Sequence, residues 1–170
     1  MPDPHYEGGG LHQIEPGGFL KIHADFNYHT RLRLDRRINL IVYLNKDWQE
    51  DYNGHLELWD RNMTHCVHKI LPAYNRCVVF STTDWSYHGH PEKLTWPAGR
   101  TRKSLALYYY TNGRPEEEKS DAHGTLWQER PTGRFSKTFA NVLNGLAVVA
   151  ESPGTMLRRA ARVIAGRKAA

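Results

Sequence analysis

At 170 residues, 39% hydrophobic and 24% charged, the chain has the size and composition of one globular domain that can bury its own core. The net charge of +5 is concentrated in residues 151–170, where Arg158, Arg159, Arg162, Arg167 and Lys168 face Glu151 alone. A near-neutral body without basic-region, zinc-finger or RNP-type patterns argues against nucleic-acid binding, and no apolar run reaches the roughly 18 residues of a membrane span. With no basic-then-apolar leader pattern at the N-terminus, a cytoplasmic protein is expected.

The opening stretch "HYEGGGLH" reads as the middle of a fold, so a preceding helical part is expected to be missing. From residue 18 to 111 the chain is a succession of short strand-like runs: "GFLKIHADF", "INLIVYLN", "GHLELWD", "HCVHKILP", "RCVVFSTT", "YHGHPEKL" and "KSLALYYYT". Each is rich in β-branched or aromatic residues and bounded by turn chemistry, as at Asp51 to Gly54 and Pro72 to Asn75. Such spacing without intervening helices predicts a sandwich or barrel. "INLIVYL" is apolar on both faces and predicts a central strand. In "HLELW", Leu56 and Leu58 should face one side, and His55, Glu57 and Trp59 the other. Cys66 and Cys77 are expected to be reduced core thiols, with a cross-strand disulfide the alternative; neither has CxxC spacing for zinc.

"TNGRPEEEKSD" closes the β region, which divides the chain into a core over 1–115 and an extension over 116–170. Phe139, Val142, Leu143, Leu146, Ala147 and Ala150 fall at helical spacing. Ser152 and Pro153 look like the cap and first position of a second, basic amphipathic helix.

The chemistry-bearing residues begin in "GFLKIHADFNYH". His23 and Asp25 are two apart, so on a strand they project from one face and can reach one ion. Two histidines and one carboxylate on one face of a metal, with positions left open, suit mononuclear iron(II) oxygen chemistry. H-x-D alone is a weak signal; "YHGHP" supplies the missing imidazole, with His88 and His90 both on one face. His29 lies past the strand end and reads as a loop residue, while His65 and His68 sit on a remote strand. Arg36 and Arg37 read equally as a structural ion pair or as substrate contacts.

In order, "HAD", "YLNKDW", "GHLELWD", "YHGHP" and "RTRKSLALYYYT" resemble the Fe(II)/2-oxoglutarate-dependent dioxygenases, prolyl 4-hydroxylase-like group, over roughly residues 8 to 111. The resemblance implies a mainly β, double-stranded β-helix (jelly roll, cupin-like), in this chain with C-terminal helices. It implies His23, Asp25 and His88 as iron ligands, His88 being favoured over His90. It implies Arg102 as the partner of the distal carboxylate of 2-oxoglutarate, Ser104 on the same face, Tyr43 as a hydrogen-bond donor and Asn39 as a further contact. Arginine suits the role because it is permanently charged and bidentate. The implied cofactors are iron(II), 2-oxoglutarate as co-substrate, dioxygen and ascorbate as accessory reductant. Asp25 itself favours hydroxylation over halogenation, since halogenating relatives replace that carboxylate. The implied reaction hydroxylates a C–H bond of peptidyl proline, an amino acid or another small molecule and converts 2-oxoglutarate to succinate and CO2. The alternative is a non-catalytic jelly-roll module that binds metal or sugar. Many relatives carry a tyrosine just before the "PGG" turn, where this chain has Ile14 and Glu15. Without buttressing helices the large sheet would keep an exposed face, from which poor solubility, homodimerisation or a compromised enzyme is expected.

Overall fold

The computed structural model describes residues 1–95 and 99–131. The chain divides into two units, Met1–Arg130 and Pro131–Ala170. The expected C-terminal helices lie outside the described residues, and every element described belongs to the first unit.

Ten strands among the described residues make two antiparallel sheets. The first holds β1 (Gly10–Ile14), β9 (Arg102–Thr111) and β4 (Leu34–Tyr43), with β3 (Tyr28–His29) and β7 (Cys77–Ser81) both paired to β4. The second runs β10 (Leu126–Trp127), β2 (Leu20–Ala24), β8 (His88–His90), β5 (Leu56–Trp59) and β6 (Cys66–Ile70). The chain crosses repeatedly from sheet to sheet, β4 to β5, β6 to β7, β7 to β8 and β8 to β9, as a jelly roll requires. The fold is the expected one. The "INLIVYL" run is central, flanked by β9 on one side and β7 on the other. Among the described residues no helix is long and apolar enough to cross a membrane.

The core lies between the sheets. Tyr43, Leu56 and Val78 are buried, with Ile41, Leu58, Ile70 and Phe80 packed against them. A second cluster gathers Trp48, Leu94, Ile14, Tyr52 and Leu71. Each fully buried large apolar side chain contributes about 1.5–3 kcal/mol relative to exposure. Alternation along β5 is as expected, with Leu56 and Leu58 inward, yet its polar face is covered. Glu57 is fully buried there, accepting hydrogen bonds from Trp59 Nε1 (2.9 Å) and Arg130 (3.0 Å). The outer face of the first sheet leaves Leu11, Ile38 and Val79 exposed. Both cysteines are unpaired, but Cys77 is exposed on that outer face and Cys66 half-buried, so neither is the core thiol expected. Odd positions of β7 point outward, and Cys77 is one of them.

Two glycines have steric reasons. Gly54 takes φ +72°, and a Cβ there would stand 2.5 Å from Leu94 Cδ2 and 3.0 Å from Arg102 Cδ. Gly89 lies against the backbone of β2, where a Cβ would meet the carbonyl oxygens of Lys21 and Leu20 at 2.7 and 2.9 Å. Only glycine lets β8 approach β2 with His88 opposite His23 and His90 opposite Leu20.

Candidate metal centre and co-substrate cavity

β2 delivers His23 to the inner face, and Asp25 follows where the strand ends. β8 brings His88 to the register position opposite His23. The ligand atoms of His23, Asp25 and His88 all lie within 4.8 Å of one another. His23 Nε2 is 3.5 Å from Asp25 Oδ1, and His88 Nε2 is 3.4 Å from Asp25 Oδ2. Ligands each about 2.1 Å from one ion stand some 3–4 Å apart, so the donor set suits a divalent metal. His90 is not in this set; the structure places His88 there.

The tautomers are held by the backbone. His23 Nδ1–H donates to the Lys21 carbonyl (2.8 Å), and His88 Nδ1–H donates to the Ser86 carbonyl (2.9 Å), leaving both Nε2 lone pairs on the metal side. Burial pushes the His88 imidazole down to about 4, against the pull of Asp25, so it is neutral at pH 7 and free to ligate. Burial pushes the Asp25 carboxyl up, but His23, the charges of His88 and Arg36, and the Asn39 amide outweigh it. The net effect holds the carboxyl well below the usual range. Phe80 stands edge-on to His88, ring centres 4.7 Å apart, and Trp127 of β10 stands 5.1 Å from His23 while remaining exposed.

Behind Asp25 lies a network in which Arg36 takes one of its two expected roles, that of a structural ion pair. Arg36 is fully buried and donates from Nη2 to Asp25 Oδ2 (3.0 Å), while its Nε and Nη2 both donate to Asn39 Oδ1 (3.1 and 2.7 Å). Asn39 Nδ2 donates to the same Asp25 oxygen at 2.6 Å. The guanidinium is stacked over Tyr108 (3.5 Å) and Phe26 (4.4 Å). Asn39 lines the cavity, but its amide is engaged with Asp25 and Arg36. Arg37 instead pairs with Glu118 (2.6 Å). His29 is buried away from the three ligands, 3.1 Å from Glu7. His65 sits in the turn organised by Asp60, and His68 on the exposed face of β6.

A cavity of about 110 Å³ adjoins the three ligands. Ile14, Leu20, Ile41, Leu56 and Ala106 give it apolar walls, and Tyr43, His90, Arg102 and Ser104 line it too. Arg102 is buried; its Nε–H donates to the Gly54 carbonyl (2.9 Å) and its guanidinium lies 5.1 Å from the Tyr43 ring centre. Among the described residues no carboxylate is paired with it. A buried cation without a counter-ion is costly, and an entering anion relieves that cost. The Tyr43 hydroxyl is buried with no hydrogen-bond partner among the described residues, and burial raises its pKa despite Arg102, so the phenol keeps the proton it would donate. Ile14, just before the "PGG" turn, presents only an apolar wall.

A jelly roll with a His-Asp-His face opening onto a cationic cavity defines an iron oxygenase architecture. Residues 9–110 match the family profile of the 2OG-Fe(II) oxygenase superfamily, and the chain belongs to that family. A curated relative, mouse prolyl 3-hydroxylase OGFOD1, is 30% identical over 79 residues, covering 44% of this chain and 14% of the relative. Solved prolyl 4-hydroxylases from Phytophthora capsici align at 23% identity and TM-score 0.45, covering 58% of this chain and 30% of that one. A Pseudomonas putida prolyl-4-hydroxylase aligns at 21% identity and TM-score 0.44, covering 62% and 52%. The chain therefore spans only a part of each. The family implies iron(II), 2-oxoglutarate and dioxygen. The residues present fit that set: three metal donors in reach of one point, a buried cation with no carboxylate beside it among the described residues, and an unpartnered hydroxyl.

Proposed function

We propose that this protein is an iron(II)- and 2-oxoglutarate-dependent dioxygenase that hydroxylates an unactivated C–H bond. The observation that carries the reading is the convergence of His23, Asp25 and His88 beside a cavity ending at the buried Arg102 guanidinium. When bound, the iron with 2-oxoglutarate and dioxygen supplies oxidative decarboxylation to succinate and CO2, coupled to transfer of one oxygen atom into the substrate.

The chain's own residues bind and orient. His23 Nε2, His88 Nε2 and an Asp25 oxygen would hold the metal. Arg102 takes the distal carboxylate of the co-substrate, Tyr43 donates to it, and Ser104 offers a hydroxyl on the same wall. Arg36 and Asn39 hold Asp25 in place from behind. The apolar walls exclude bulk water, which keeps the reaction coupled to the substrate. Exposed Trp127, beside His23, offers a flat apolar surface for the substrate.

The substrate classes to test are peptidyl proline first, on the strength of the mouse relative's name, then free amino acids and other small molecules. Ascorbate serves as the accessory reductant. The test is succinate formation from 2-oxoglutarate in the presence of iron(II), ascorbate and oxygen. Turnover that disappears in His23→Ala and Asp25→Ala is expected; absence of turnover in the wild type with every substrate class, and without substrate, refutes the proposal.

A further inference from the structure

His90 is only 3% exposed, and neither of its ring nitrogens has a hydrogen-bond partner among the described residues. The other buried histidines are held. His23 and His88 donate to backbone carbonyls, His55 lies 2.5 Å from a Glu50 carboxylate oxygen, and His29 accepts from the Leu32 N–H while its other nitrogen faces Glu7. An imidazole buried with both nitrogens idle is a folding cost that an apolar residue would not carry. The β8 backbone adds to that cost, because Gly89 is the residue that lets His88 and His90 reach the inner face together.

The ring lines the cavity. It sits two residues beyond His88 on the same face of β8, about 7 Å farther along the strand from the metal ligands. The groups that share this cavity are the Arg102 guanidinium, which has no carboxylate partner among the described residues, and the unpartnered Tyr43 hydroxyl. Arg102 has already committed its Nε to Gly54. A carboxylate has about four lone-pair sites, more than the remaining fork of one arginine fills.

We propose that His90 is a co-substrate-binding residue whose ring N–H donates to the distal carboxylate of 2-oxoglutarate beside Arg102 and Tyr43. The proposal rests on the dioxygenase reading above and adds a residue to it. His90 then distinguishes a 2-oxo diacid from a 2-oxo monoacid of the same length. It touches neither the metal nor the keto end of the ligand.

The test is calorimetric and needs no turnover. The full chain loaded with manganese(II) is titrated with 2-oxoglutarate and, separately, with 2-oxopentanoate, which lacks the distal carboxylate. His90→Leu is expected to weaken 2-oxoglutarate by about 10- to 100-fold, the range for a hydrogen bond to a charged group. Its affinities for 2-oxopentanoate and for manganese(II) should be unchanged, and His90→Gln should recover part of the loss. The melting temperature of metal-free His90→Leu should not fall below wild type, since the ring nitrogens have no bond to lose. His90→Phe carries the same expectations should leucine pack badly, and unfolding of both would contradict the proposal. An unchanged 2-oxoglutarate affinity, or equal losses for both ligands, overturns it. A wild type that binds manganese(II) but not 2-oxoglutarate overturns the dioxygenase reading as well, whereas normal wild-type binding with an indifferent His90→Leu overturns this assignment alone.

Discussion

Replacing Arg36 by methionine probes how Asp25, the candidate metal-binding carboxylate, is held. The substitution keeps much of the side-chain volume but removes the cation, the 3.0 Å bond to Asp25 and both bonds to Asn39. Breaking a buried charge pair by deleting one partner costs about 3–5 kcal/mol. The side chains concerned are nearly inaccessible, 1% for Arg36 and 13% for Asp25, so solvent screening relieves little of this. Asn39 still donates to Asp25 at 2.6 Å, which favours the lower end, about 3 kcal/mol. For a unit of this size that is a fall of roughly 10 °C in melting temperature. Metal affinity has two opposing contributions. Loss of a neighbouring cation makes the site more attractive to a divalent ion, whereas loss of the tether lets the carboxylate wander. Removing a hydrogen bond that orients a metal ligand costs about 10- to 100-fold, so weaker binding by that factor is expected. Arg36→Lys restores charge without the fork and should regain stability more than metal affinity. Differential scanning fluorimetry and manganese(II) titration followed by electron paramagnetic resonance give the two readouts. An Arg36→Met protein that melts normally, or binds metal as well as wild type, would refute the reasoning.

Gly89→Ala should separate β8 from β2, because its methyl would meet two carbonyl oxygens below 3 Å. Loss of metal binding together with a fall in melting temperature of several degrees is expected, and an alanine variant that retains both contradicts the close packing of β8 on β2. Arg102→Lys should weaken 2-oxoglutarate by about tenfold or more while leaving metal affinity intact, since lysine keeps the charge but not the bidentate fork; calorimetry decides. Asp84 accepts hydrogen bonds from Ser120 (3.0 Å) and His123 Nε2 (2.8 Å). Burial pushes its carboxyl up, but these bonds and the charges of His123 and Arg114 outweigh it and lower the pKa. A depressed carboxyl contributes stability that is fully present above its unfolded value of about 3.9 and is lost as pH falls through the folded value. Protection against hydrogen exchange at residues 120–123, taken relative to the intrinsic exchange rate at each pH, should therefore fall below about pH 4, and Asp84→Asn should abolish that acid dependence.

The candidate metal ligands are legible in the sequence because strand alternation is strict over two residues: His23 and Asp25 share a face, and H-G-H places His88 and His90 likewise. Arg102 and Ser104 follow the same rule on β9, both buried on the inner face. The backing of Asp25 is legible only in part, for a definite reason. Arg36 and Asn39 are three apart and should point to opposite faces of a regular strand. A register shift between Arg36 and Ile38 turns Arg36 inward, so of the two roles "DRRIN" leaves open for it, a structural ion pair or a substrate contact, the ion pair is the one formed, with Asp25 as a partner that no local pattern names. β1 is hidden because "GLHQI" has little strand propensity of its own; its pairing with β9 over Gly10–Ile14 makes it a strand. β10 is two residues long and owes its existence to tertiary pairing of the same kind, with β2 as its partner. The inward cover of Glu57 by Arg130 joins residues 73 apart, a separation no local pattern reports.

The most direct test is an anaerobic titration of the purified chain with iron(II) and then 2-oxoglutarate, followed by visible absorption. A metal-to-ligand charge-transfer band should grow only when both are present, be lost in Asp25→Ala and His88→Ala, and require a higher 2-oxoglutarate concentration in Arg102→Lys. Iron binding without such a band, or a band that persists without His23, Asp25 and His88, would contradict the assignment of this site.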